Sequence, residues 1–561
     1  MTKPLEHMPR TLGEMLEYCA NTYGTATALK ERRDGVWQSV SFARFHKEAR
    51  ALALMLSGRF QAGDRVMILG ENSYEWALSF MALTLLGAIS VPADNGGRTK
   101  DLTAMAVASG AKGVLYAPSK QAKRRAFVGL SCVCFDKYPA LLAKGKRTLA
   151  EGDYPAPWHR ADPDSMAALF FTPGTTGTAK GVMLSHTNLL ATVQNMGSMM
   201  TVDAEDVFLS HLPLSHVYEC VCGFLAPLYY GATVAFGGGV ERLLRDMRDI
   251  HPTWMVTIPY FAEALYRKFW AKVRMAENET RVRRFIAVSD PIRPLSARQA
   301  MKERLLVSER AFFGGALRRL LILGESMEAA VQKGLRQIGV LAVQGYGMTE
   351  CAGLAALNRD THYRDGSAGL AFPDSMLDIY NAQPDGSGEI RYKGKNVMLG
   401  YLNDPERTAH ALNGEWYHTG DIGRIDEDGF LHILGRRQNC IQTQGGRLIC
   451  PEELEQLLCQ SPFVKEAVVV GALNPETKDS EAAALILPDD EYIAELLEGA
   501  WDEEEIEAAI DDWIAELNAE LDLYRQIGQY AICEQPFPKD AAGRYRRHQI
   551  AKAFHEMLQE S

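Results

Sequence analysis

Apolar residues in the first part of the chain come in short unbroken runs. Residues 65–70 and 88–92 are two of them, and the apolar stretch 73–87 lies between. Short apolar runs bounded by turn residues read as buried strands, and longer ones as helices. The order strand, helix, strand predicts a βαβ unit and hence a parallel sheet covered on both faces. Similar runs recur at 114–116, 232–236, 254–258 and 320–323, with helical stretches between them. After about residue 385 the pattern changes to short strands and Gly/Asp turns, which predicts a small β-barrel-like subdomain. Asp428-Gly429 sits between two strand-like runs as a hairpin turn. Farther on, 464–473 and 482–490 read as strands. Residues 503–524 read as an acidic amphipathic helix with Ile506, Ile510, Trp513, Leu517, Leu521 and Tyr524 on one stripe. The expected fold class is α/β: a large N-terminal domain of mixed β-sheets flanked by helices over residues 1–436, and a small mobile α+β domain over 437–561.

A chain of 561 residues is too long for one core. A net charge of -11 argues against nucleic acid as a partner, which a basic patch would mark. The ten cysteines have no zinc-ligand spacing; Cys132/Cys134 and Cys220/Cys222 lack a matching second pair. They read as reduced thiols of a cytoplasmic protein. The N-terminus lacks a signal-peptide core. The uncharged stretch 76–91 is shorter than the ~20 residues that a spanning helix needs. No transmembrane segment is expected, and peripheral membrane contact stays open.

The densest local signal is residues 171–181, Phe-Thr-Pro-Gly-Thr-Thr-Gly-Thr-Ala-Lys-Gly. Glycines let backbone approach a ligand, threonines and amides donate to phosphate oxygens, and Lys180 adds charge. Such a stretch is an anion-binding loop or a flexible Gly/Thr turn. It is neither a Walker A loop nor a Rossmann fingerprint.

The segment resembles the signature loop of the AMP-binding, or adenylate-forming, superfamily, which includes acyl-CoA synthetases. Thr172, Gly174, Thr175, Thr176, Gly177, Lys180 and Gly181 match the usual pattern, as does the run to His186. Pro173 stands where Ser is usual and Ala179 where Pro is usual. The resemblance extends over nearly the whole chain, with motifs in the family's order. It implies that His216, in the stretch 211–219, lies near the acyl carboxylate and α-phosphate. The continuation through Leu228, Gly231 and Ala232 is similar to the long-chain branch. Gly324 falls where relatives place backbone against adenine, but Glu325 and Ser326 replace small residues.

The stretch 344–350, Gln-Gly-Tyr-Gly-Met-Thr-Glu, closely matches another family motif. The match implies that Tyr346 offers adenine an aromatic face and Thr349 bonds a phosphate. Glu350, a hard oxygen ligand, would take Mg²⁺ on ATP. Gly345 and Gly347, beside Met348, are expected to keep the acyl tunnel and nucleotide cleft open. Asp421 and Arg436 would hold the ribose, with the hinge two positions beyond at Gln438. Gly445 and Gly446 lie in the stretch 443–455, which resembles a loop of fatty-acid ligases and is expected from that to face the active site during thioester formation, with Arg447 and Leu448 departing from the pattern. The family's adenylating lysine falls on Arg544, a non-conservative change; Lys539 is a candidate substitute.

The resemblance implies an acid–thiol ligase. A fatty acid is activated with ATP to acyl-AMP, and the acyl group then passes to coenzyme A. An acyl carrier protein is the alternative acceptor. A catalytically weak nucleotide- or acyl-adenylate-binding relative is the alternative of another class.

Overall fold

The computed structural model describes residues 8–152, 161–172, 179–290, 301–302, 306–474, 477–489, 493, 503–539 and 545–560. Its contacts divide into two compact units: 1–377 with 392–417, and 378–391 with 418–561.

The first unit contains a seven-stranded sheet. Its strand order is Gly400–Tyr401, Lys180–Ser185, Met166–Thr172, Ile89–Ala93, Arg65–Leu69, Gly113–Tyr116, Ser131–Cys134. Arg65–Leu69 pairs in parallel with both Ile89–Ala93 and Gly113–Tyr116, as the βαβ reading predicts. The connecting helix Tyr74–Leu86 starts where the Ser73 side chain accepts from Trp76 N, and stops at Gly87 in the left-handed region (φ 69°). It is buried nearly all round, so its sequence has no polar face. Among the described residues no helix is long and apolar enough to cross a membrane.

A nine-stranded sheet forms the rest of this unit. Its parallel centre runs Leu341–Tyr346, Arg319–Ile322, Trp254–Thr257, Val207–Ser210, Thr233–Phe236, Thr27–Arg33, with antiparallel strands at both edges. The central strands are apolar on both faces because helices cover them: Leu265, Phe269, Val282 and Leu335 pack with Met255, Leu320 and Ala342 in one core.

In the second unit the strand Trp416–Ile425, which enters it at His418, turns at Asp428-Gly429 and pairs antiparallel with Leu431–Arg436. A three-stranded sheet comes next: Val464–Leu473, Ser480–Pro488 and Ile527–Ile532. Helices Pro451–Leu458 and Glu503–Glu520 cover one face through Leu454, Leu458, Ile510, Ile514 and Leu517. Ile550 and Phe554 cover the other. The acidic helix is shorter than the expected 503–524: the chain turns extended at Asp522 (φ -56°, ψ 143°), although Leu521 and Tyr524 still pack against the core. Amphipathic spacing continued past the end of the helix because the next turn points its apolar residues the same way.

Candidate active site

In an open parallel sheet, ligands bind beyond the carboxyl ends of the strands, where the loops diverge. In the nine-stranded sheet those ends lie level. Trp254 is in register with Phe208, Thr257 with Ile322, and Ile322 with Gln344. The segments leaving them include 211–219, 323–327 and 347–350, the motifs singled out in the sequence.

Tyr218 links three of these. Its hydroxyl donates to Gly347 O at 2.6 Å. Its ring edge lies where a Cβ on Gly324 would come within 4.0 Å, and Gly324 has φ 102°. Gln344 fixes the neighbouring segment by accepting from Met327 N at 3.0 Å and from Gln332 Nε2 at 2.9 Å. The glycines of the 344–350 stretch do not hold open space. A Cβ on Gly347 would lie 2.1 Å from Gly353 O, and one on Gly345 would lie 3.0–3.2 Å from Leu323, Leu357 and Ala356. Protein fills the room they save, so their role is tight packing of the turn. Tyr346 ends its strand with its side chain largely buried, and Met348 comes after it in extended conformation.

Glu350 lies in the short 3₁₀ turn Thr349–Cys351. Its Oε1 accepts from the Tyr401 hydroxyl at 2.8 Å, and its backbone oxygen accepts from Met398 N at 2.8 Å. Tyr401 pairs antiparallel with Val182 on the strand that Lys180 begins. The Lys180 ammonium lies 5.5 Å from the centroid of the Tyr401 ring. Lys180, over the ring, and Glu350, at the hydroxyl, are far apart in sequence and both contact one tyrosine. Burial, then the Glu350 charge, raises the Tyr401 phenol, so it stays a donor to the carboxylate. Thr172 pairs with Lys180 across the hairpin. Gly174, Thr175, Thr176 and Gly177 lie outside the described residues, as does Arg544.

His216 is exposed to solvent, yet the surrounding protein lowers its imidazole pKa, with the Asp94 carboxylate pulling the other way. It is neutral at pH 7 and can accept or donate one hydrogen bond. Asp94 directly succeeds the last residue of the strand Ile89–Ala93 and was not singled out in the sequence; only the topology of the other sheet brings it here.

Glu219 also carries no signal strong enough to mark it in the sequence, although it closes the same motif. It is 1% exposed at the start of a π-helical turn, Glu219–Leu225, and neither carboxyl oxygen has a hydrogen bond of ordinary geometry. Burial raises its pKa to about 8, against a weaker pull from Ser210. π-turns gather at functional sites, and an acidic residue inside an apolar run is the signal that could have flagged it.

The second unit brings Asp421 and Arg436 together as a cross-strand pair, Nε to Oδ1 at 2.9 Å. Asp421 is buried and Arg436 exposed. Arg437 pairs with Glu389 at 2.8 Å and opens the 3₁₀ turn Arg437–Asn439 that contains Gln438. Gly445 and Gly446 form the exposed tip between Ile441–Gln442 and Leu448–Ile449, closed by Arg447 N donating to Thr443 Oγ1 at 3.1 Å. Arg447 stacks on Tyr524, 4.6 Å from the ring centroid. Lys539 is engaged: its ammonium lies 2.8 Å from Glu466 Oε1 and 4.9 Å from the centroid of the Tyr545 ring.

Two units, the first with the segments 211–219, 323–327 and 347–350 leaving level strand ends, define the class of fold. The chain belongs to the AMP-binding enzyme family: that family's model matches residues 16–402, and the model of the AMP-binding enzyme C-terminal domain matches residues 439–561. It is similar to the long-chain-fatty-acid–CoA ligase FadD15 of Mycobacterium bovis, with 29% identity over 79% of this chain and 77% of that protein. It is also similar to the long-chain-fatty-acid–CoA ligase ACSBG1 of Bos taurus, with 26% identity over 82% and 69%. Among solved structures, ATP-bound MatB from Rhodopseudomonas palustris superposes with a TM-score of 0.75 at 21% identity, over 97% of this chain and 99% of that one. The Mycobacterium tuberculosis fatty acyl CoA synthetase gives 0.67 at 22% identity, over 98% and 99%.

Proposed function

We propose that the protein is a cytoplasmic long-chain fatty acid–CoA ligase that works through an acyl-AMP intermediate. The convergence of Lys180 and Glu350 on Tyr401 is the observation that carries this reading. The ligase names of the curated relatives support the acid and CoA as substrates.

A carboxylate is a poor electrophile because oxide is a poor leaving group. Attack of a carboxylate oxygen on the α-phosphorus of ATP forms a P–O bond and expels pyrophosphate. The protein's task is to hold the reactants in line and to neutralise growing charge. Lys180 faces the phosphates that Thr172, Thr349 and the loop amides orient. Glu350, held by Tyr401, is the carboxylate that would be shared with a phosphate-bound Mg²⁺, and that ion would offset phosphate charge when bound. His216 hydrogen-bonds the acid beside the α-phosphate. Asp421 accepts from the ribose hydroxyls, and Arg436, paired with it across the strands, aligns its carboxylate. The CoA thiolate then attacks the acyl carbon, and AMP leaves. We assign the boundary of the moving domain to 436/437, with Gln438 as the hinge. Contact packing divides the chain elsewhere because the 418–436 hairpin packs with residues C-terminal to it: Ile422 and Leu434 lie against Cys450.

Acid-dependent exchange of pyrophosphate into ATP, with product analysis using CoA and a phosphopantetheine-bearing acyl carrier protein side by side, tests the proposal. Exchange together with acyl-CoA is the expected result. Acylation of the carrier alone would move the acceptor. No exchange at any chain length would leave a binding protein, an outcome for which Arg544 in place of lysine gives a reason.

A further inference from the structure

One pair of side chains outside this chemistry is brought together by the fold. Cys440 and Cys450 flank the small ladder in which Ile441 faces Ile449 and Gln442 faces Leu448, so they are the next opposed pair outward. Their sulfurs lie 3.4 Å apart. Opposed residues of an antiparallel ladder have Cα atoms about 4.5–5.5 Å apart, inside the ~4.4–6.8 Å range of disulfides. Rotation of the two side chains is enough to join them.

The two thiols differ in a way that suits stepwise oxidation. Cys440 is half-buried and open to a small oxidant, with Arg436 O 3.4 Å from its sulfur. Cys450 is 5% exposed and packs with Ile422 and Leu434. Its contact with Cys440, together with burial, raises its pKa, so it waits as a shielded thiol. The pair also occupies a mechanical position. Cys440 comes directly after the turn Arg437–Asn439, and Cys450 is the N-cap residue of the helix Pro451–Leu458. Between them lies the hairpin whose tip is Gly445 and Gly446. Asn439 Nδ2 already donates to Glu452 Oε1 at 2.5 Å across the same neck.

We propose that Cys440 and Cys450 form a redox-sensitive dithiol, a modification site at which a hydroperoxide closes a disulfide across the neck of the 441–449 hairpin. The Cys440 sulfur, giving up its proton, attacks one oxygen of hydrogen peroxide; the O–O bond breaks, Cys440 becomes a sulfenic acid, and the departing hydroxide takes up the thiol proton and leaves as one water. The Cys450 sulfur then attacks the Cys440 sulfur, the S–O bond breaks, and a second water leaves. Two thiols lose two electrons and two protons, and hydrogen peroxide becomes two waters. A dithiol reductant reverses the bond. The catalytic consequence rests on the ligase reading: a stapled hairpin beside the hinge slows the acyl-transfer half-reaction more than adenylation.

The test treats the full-length protein with stoichiometric hydrogen peroxide. Trypsin with Glu-C cuts after Arg447, inside the ring, and after Glu453 and Glu455, between Cys450 and Cys459, so a Cys440–Cys450 bond leaves two identifiable fragments joined until reduction, and mass spectrometry reads this directly. Titratable thiols should fall by two of the ten, acyl-CoA synthesis should fall about fivefold more than pyrophosphate exchange, and dithiothreitol should restore both. Cys440→Ser and Cys450→Ser should each abolish the linkage and the peroxide response. Oxidation at other cysteines without the joined fragments would overturn the site. A linkage that leaves the ratio of the two half-reactions unchanged, or an equal response in Cys440→Ser, would overturn the switch. Absence of both activities in the reduced protein sinks the ligase reading instead, and the joined fragments still decide the site.

Discussion

Replacing Glu219 by Gln isolates a buried acid whose charge state the fold controls. The folded pKa is about 8 and the ordinary value 4.5. At pH values between these, the unfolded chain carries an ionised Glu219 while the folded chain keeps it protonated. Folding then takes up a proton, and stability falls as pH rises through that window, becoming level above about 8. At about 1.4 kcal/mol per pH unit the full window corresponds to about 5 kcal/mol; relaxation around a buried charge brings the expected effect nearer 2–4 kcal/mol. His211 works in the opposite sense. Burial lowers its pKa from 6.5 to about 4, so it takes stability away as pH falls through that range. Glutamine has the shape and donor of the protonated acid but does not titrate, so the difference between native protein and Glu219→Gln cancels His211 and every other group. Urea unfolding monitored by tryptophan fluorescence, to which the fully buried Trp76 and Trp254 of the first unit contribute, should give equal midpoints near pH 4.5. The variant should pull ahead progressively to pH 8. Adenylation at pH 7 should change by less than about twofold, because the native group is already uncharged there. A stability gap independent of pH would refute the buried, protonated acid.

Glu350→Ala should lower acid-dependent exchange about tenfold or more and raise the magnesium requirement; an unchanged rate removes Glu350 from the metal role. Tyr401→Phe removes a hydrogen bond to a carboxylate, worth about 1.5–3 kcal/mol, and should lower exchange and thermal stability together. Gly347→Ala places a Cβ 2.1 Å from Gly353 O; the soluble yield and melting temperature should both fall, by about 2 kcal/mol or more in stability terms. Arg544→Lys should raise exchange several-fold, roughly tenfold at most, by restoring a point charge in place of a planar fork; a fall would mean that this chain has adapted to arginine.

The expected strands at 65–70, 88–92, 114–116 and 320–323 match observed ones to within a residue or so at each end, because a strand buried on both faces must be apolar throughout. The motifs were legible for a related reason: tight turns need Gly324 and Gly347, and few residues replace them. Tyr401 was not legible. Its partner Glu350 is 51 positions away, and only the pairing of Gly400–Tyr401 with Met183 and Val182 brings the two together. Asp94 reached His216 through sheet order in the same way.

By itself the sequence determined the local elements, the turn glycines and the kinds of group available for phosphate chemistry. Each depends on neighbours a few residues apart, where periodicity and backbone sterics act. Tertiary structure alone decided that Val207–Ser210 lies between Thr233–Phe236 and Trp254–Thr257, that Lys180 and Glu350 share a tyrosine, that Glu219 stays protonated, and that two cysteines face each other. These are results of packing between distant segments, and burial and proximity, the quantities that set charge states and contacts, exist only once that packing is complete.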